Sequence, residues 1–166
     1  MRWFPFFVLA YLFVAVQFSL GGVLGWGEVT PDLVLLLVIF IGMHASMEPA
    51  LIAAFMLGLM HDVIASHGMG TYALGYTIIA AFAVQLRGIM YSDHLVTHVM
   101  MPLMLGSVLL IYLLVRQSVR NFYFVPEYNI SLRPRLMSVL ITTALAVPII
   151  TTLRRFRRSF AFEKRG

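Results

Sequence analysis

Apolar residues run almost without charge from Trp3 to about Trp26, and runs of the same character recur along the whole chain. A helix that crosses a bilayer takes about 20 such residues, so the chain is expected to be an all-α polytopic membrane protein. Composition agrees: 61% of its 166 residues are apolar and 11% charged, against about 45–50% and about 25% in soluble domains. A soluble globule is excluded. Six spans leave about 46 residues for every loop and both tails, too few for a second domain. Residues 1–166 therefore read as a single integral membrane domain, with a basic cytoplasmic tail at 154–166.

The first run exceeds the roughly 7–15 apolar residues of a signal peptide, and no small-x-small cleavage site follows it, which predicts an uncleaved helix. The turn from Gly25 to Asp32 breaks it, with Trp26 suited to the headgroup level. Two short runs come next, Leu33 to Met43 and Ala50 to Met60, on either side of Met47-Glu48-Pro49. They read as two spans, tilted or in a thinned bilayer, or as one helix broken at Pro49, which cannot continue the hydrogen-bond ladder. Spans at about Tyr72–Leu86, Leu95–Val115 and Leu136–Leu153 complete a count of six, with five as the alternative.

The 12 Lys+Arg outnumber the 7 Asp+Glu. In a soluble protein that balance suggests nucleic acid; here the bases collect at span ends and in the tail, so no nucleic-acid partner is expected. Placing Arg154, Arg155, Arg157 and Arg158 in the cytoplasm puts both termini inside under six spans. Four arginines then lie outside, Arg116, Arg120, Arg133 and Arg135, together with the acids Glu28, Asp32, Asp62 and Glu127. Pairing lowers the cost of moving charge out of water. Arg133 or Arg135, held at the start of the last helix by Pro134, is therefore expected to approach Asp62 or Asp32. The tail alternates its bases with Phe156, Phe160 and Phe162 and is expected to lie on the anionic lipid bilayer, each base contributing about 1 kcal/mol; docking of a cytoplasmic protein is the alternative.

Cysteine is absent, which removes disulfides, thiolate metal sites and cysteine nucleophiles. No Gly-x-Ser-x-Gly elbow and no Gly-rich phosphate loop is present, and neither an enzyme activity nor a cofactor is expected. His94 and His98 share the four-residue spacing of zinc sites, but no third ligand is specified. His61-Asp62 resembles a dyad, yet neighbours on a helix point about 100° apart. Asp62 is the leading candidate for a role, because a carboxylate near hydrocarbon depth costs about 2.5–3.5 kcal/mol on insertion scales. It organises the turn through Ser66 to Gly70 by accepting backbone N–H bonds, ties helices together, or takes part in ligand chemistry. Small residues recur every four positions at Ala50, Ala54 and Gly58 and at Ala73, Thr77 and Ala81, with Gly21 and Gly25 as a further pair; these faces suit close helix packing.

Three features together resemble the bacterial rod shape-determining MreD family. They are Pro31-Asp32-Leu33-Val34-Leu35-Leu36-Leu37 after a first helix, the block Gly58, Asp62, Ser66, Gly70 and Ala73, and Leu132-Arg133-Pro134-Arg135 before a last helix ending in Leu153-Arg154-Arg155. His61 takes a position where the resemblance implies an apolar residue. What the resemblance implies is a non-enzymatic inner-membrane subunit of the wall-elongation machinery. Its partners would be an MreC-like bitopic protein, an MreB-like filament, and a RodA-like glycosyltransferase with its transpeptidase. The implied fold is similar to the six-helix substrate-binding subunit of energy-coupling-factor vitamin transporters, which supplies the competing function. Such subunits dock their energising module through small residues four apart on the first helix, whereas Ala10 and Ala15 are five apart.

Overall fold

The computed structural model describes residues 3–23, 29–65, 70–88, 95–123 and 132–160. The described residues form six helices: α1 (Trp3–Val23), α2 (Leu33–His44), α3 (Met47–Ala65), α4 (Thr71–Leu86), α5 (Leu95–Tyr123) and α6 (Leu132–Phe160). Three of them, at Met47–Ala65, Val99–Val119 and Arg133–Leu153, are long and apolar enough to cross a membrane. The outer surface is apolar too, with Phe4 81% and Tyr11 70% exposed. Such faces are a liability in water and the expected surface in lipid. The protein is an all-helical polytopic membrane protein.

The shortest helix is the core. α2 contacts each of the other five helices, and every residue from Leu33 to Met43 is buried. A helix apolar on all sides has no face to show to water, and α2 shows none to lipid either. Its ends fix the topology. The Tyr76 hydroxyl lies 2.9 Å from the Asp32 carboxylate at the start of α2 and 2.8 Å from Nδ1 of His61 near the end of α3. At the opposite end of the bundle Arg87, just after α4, donates to the Ala45 carbonyl just after α2. α2 and α3 are therefore antiparallel. One helix broken at Pro49 would set Asp32 and His61 about 44 Å apart at 1.5 Å per residue, so α2 and α3 are two helices and not one broken helix. Pro49 lies in the first turn of α3, where a backbone N–H has no partner within the helix and proline is tolerated.

α3 and α4 are in close contact at Gly58. A Cβ placed there would fall 2.3 Å from Ala73 Cα and 2.5 Å from the Tyr72 carbonyl oxygen. The Ala50, Ala54 and Gly58 stripe is buried as one face. On α4 the buried small residues are Ala73, Gly75, Ala80 and Ala83, with Thr77 and Ala81 only half-buried, so of the expected Ala73, Thr77 and Ala81 stripe only Ala73 is buried. Gly25 lies outside the described residues. α5 and α6 run beyond the expected Leu95–Val115 and Leu136–Leu153, and both are 29-residue helices.

Candidate functional site

Polar side chains from four helices and the segment before α2 converge at the end of the bundle where α2 begins. The reason is local. The first N–H groups of a helix have no partner within it, and α2 begins inside protein, where water does not supply one. Asp32 caps α2, its carboxylate accepting from the Leu35 N–H at 2.9 Å. Gln17 of α1 inserts and accepts from the Val34 N–H at 2.9 Å. Thr142 of α6 accepts the Asp32 N–H at 2.8 Å and donates to the Ser138 carbonyl at 2.7 Å, while Ser138 donates to the Thr30 carbonyl. The segment around Pro31, which is buried, is thus held on α6 by hydroxyl groups.

α4 begins with the same shortage. Its cap residue is Gly70, at φ 86°, with no side chain to offer. Asp62 of α3 supplies the missing acceptor, taking the Tyr72 N–H at 2.9 Å on one oxygen and the Ala73 N–H at 3.2 Å on the other. Asp62 lies within the last turns of α3 and is 2% exposed, and its bonds tie α3 to the start of α4. Ser66 lies outside the described residues.

Between the two caps runs a hydrogen-bonded chain. Tyr76, wholly buried, has its hydroxyl 2.9 Å from both oxygens of Asp32. Its single proton is given to that carboxylate, so the His61 Nδ1 at 2.8 Å is the donor toward the phenolic oxygen. The His61 ring stacks on Tyr72, with centroids 4.1 Å apart, and meets the Phe18 ring edge-on. His61 and Asp62, adjacent in sequence, thus serve different partners, as their angular separation on a helix requires. Thr142 lies nine residues into α6 from Arg133, so the chain sits about 14 Å below the start of the α6 apolar stretch.

Among the described residues no ion pair joins Arg133 or Arg135 to these acids. Arg133 is exposed, and Arg135 donates to Gln117 of α5 at 3.3 Å. The carboxylates are engaged by backbone N–H groups and a phenol that lie nearer and have no water to turn to. Among the described residues no group of three His, Asp or Glu side chains could hold a metal; His94 lies outside them. α6 continues as helix through Arg154, Arg155, Arg157 and Arg158 to Phe160, whose side chains also lie outside what is described.

Gln17, Tyr72, Tyr76 and Thr142 are functional candidates that the sequence alone does not mark, and His61 is one to which it assigns no role. The available signal was the shortage itself: a carboxylate at position 32, ahead of an entirely apolar helix, needs a buried donor. Replacing Tyr76 by Phe removes the bridge and leaves Asp32 and the His61 N–H each short of a partner. Tyr76→Phe is expected to destabilise the protein by about 1–3 kcal/mol, read as a lower melting temperature in detergent; an unchanged value would mean that water substitutes for the hydroxyl.

No curated protein and no solved structure matches this chain. The family model of the rod shape-determining protein MreD matches residues 1–157, and the chain belongs to that family of proteins with a role in rod shape.

Proposed function

We propose that this protein is a non-enzymatic scaffold subunit of the bacterial wall-elongation complex, set in the cytoplasmic membrane with both termini in the cytoplasm. There it works with an MreC-like bitopic protein, an MreB-like filament, and a RodA-like glycosyltransferase and its transpeptidase. Family membership supports the role in shape. The observation that carries the scaffold reading is how the buried polar groups are used. Asp62 caps a neighbouring helix, Gln17 caps another, and Asp32, Tyr76 and His61 link three elements. A catalytic acid or base needs a substrate proton within hydrogen-bond reach, whereas these groups satisfy one another and the backbone. The orientation rests on the Arg-rich tail and the positive-inside preference.

The test is complementation combined with purification. In a rod-shaped bacterium lacking its own copy, the gene should restore rods, and the tagged protein should bring down the MreC-like partner. Retention of a vitamin through purification, without that partner, would favour a transport subunit instead and overturn the scaffold reading.

A further inference from the structure

Among the described residues, Arg116, Arg133 and Arg135 at the Asp32 end of the bundle have no counter-ion. The two acids described at this end are committed, Asp32 to the Leu35 N–H and the Tyr76 hydroxyl, Asp62 to the Tyr72 and Ala73 N–H groups. Arg135 has an uncharged partner in Gln117. Arg116, the residue before Gln117 on α5, has a buried Nη1 with no hydrogen-bond partner among the described residues. A buried guanidinium nitrogen without an acceptor is costly, since the desolvation of the charge is uncompensated. Among the described residues, no acid is left to pair with it.

Its position says which anion. The apolar stretch of α5 runs Val99–Val119 and that of α6 runs Arg133–Leu153, so Arg116, Arg133 and Arg135 all sit where hydrocarbon gives way to headgroups. Toward the bilayer interior the hairpin of α5 and α6 exposes Ile111 and Val115 on one helix and Leu136, Met137 and Leu140 on the other. Spacings of four keep Ile111 under Val115 and Leu140 under Leu136 on their own faces. Guanidinium groups match phosphate oxygens through paired N–H bonds, and an acyl chain matches the apolar track below them.

We propose that Arg116, Arg133 and Arg135 form a binding site for the phosphate of a phospholipid headgroup, whose acyl chains lie along the exposed apolar face of α5 and α6. Headgroup phosphates line both surfaces of a bilayer, so the site operates whichever way the chain is inserted. The phosphate supplies a counter-charge for the three guanidinium groups, and the bound lipid braces the hairpin where Arg135 and Gln117 join its two helices.

Native mass spectrometry of the full chain in detergent tests the site, with phosphatidylglycerol and a diacylglycerol of the same acyl chains as probes. The wild-type protein should retain phosphatidylglycerol and not diacylglycerol. The double variant Arg116→Gln/Arg135→Gln should bind phosphatidylglycerol at least tenfold more weakly. If that variant fails to fold, Arg133→Gln, at an exposed position, should still lower retention severalfold. Equal retention by wild type and variants, or equal retention of the two lipids, would overturn the proposal. Displacement of phosphatidylglycerol by excess inorganic phosphate would also overturn it, by assigning the site to free phosphate.

Discussion

Replacing Gly58 by alanine is expected to destabilise the protein by about 3 kcal/mol or more, at or above the upper end for an overpacked contact. The added methyl would meet Ala73 Cα at 2.3 Å, Ala73 N at 2.5 Å and the Tyr72 carbonyl oxygen at 2.5 Å. All three are backbone atoms, so no side chain can turn aside and α4 itself must move. The same two residues donate their N–H groups to Asp62, one helical turn further along α3. A shift that relieves the clash therefore also pulls α4 off its cap, and the two losses reinforce each other. Gly106→Ala is the control: its Cβ would lie 3.2 Å from a methyl of Val139, a side chain that can yield, and less than about 1 kcal/mol is expected. Thermal unfolding in detergent compares them. If Gly58→Ala melts with Gly106→Ala, helices α3 and α4 are not in backbone contact.

Asp62→Leu should lose the folded protein or most of it. Two buried N–H groups at the start of α4 would have no acceptor, each costing about 1–3 kcal/mol, and Gly70 has no side chain with which to replace it. Asp62→Asn should be intermediate. Its single carbonyl oxygen can serve Tyr72 or Ala73, but the amide NH2 would then face the other N–H, donor against donor. The readouts are melting temperature and rod shape after complementation, with the order aspartate, asparagine, leucine expected in both. If Asp62→Asn retained full stability and yet abolished shape, Asp62 would act through its charge and not as a cap.

The helices were legible in the sequence because apolar runs and breakers mark them, and residues 71–86 were placed almost to the residue. The count of short spans was not, because Leu33 to Met43 and Ala50 to Met60 are each too short to argue for themselves; the link through Tyr76 settled it. Asp32 and Asp62 stood out as acids in apolar surroundings, but their partners did not. The donors to Asp62 are backbone groups, which no side-chain pattern reveals. Tyr76 lies within an apolar run and bonds to Asp32 across 44 positions, a separation that periodicity cannot reach. Pairing the arginines with the acids followed from charge alone; it overlooked that a helix start buried in protein competes for the same carboxylates and is closer.

α2 spans about 18 Å against about 30 Å of hydrocarbon, so no lipid bilayer can accept it alone as a crossing helix. It is nevertheless the second helix to be synthesised. Of the groups that complete its ends, only Gln17 and Asp32 have been made by then; Tyr76, Arg87 and Thr142 come from chain still to be translated. The centre of this molecule therefore waits on its periphery. Order of synthesis and order of assembly are reversed, and a core helix made second acquires its final surroundings only when the last helix has left the ribosome.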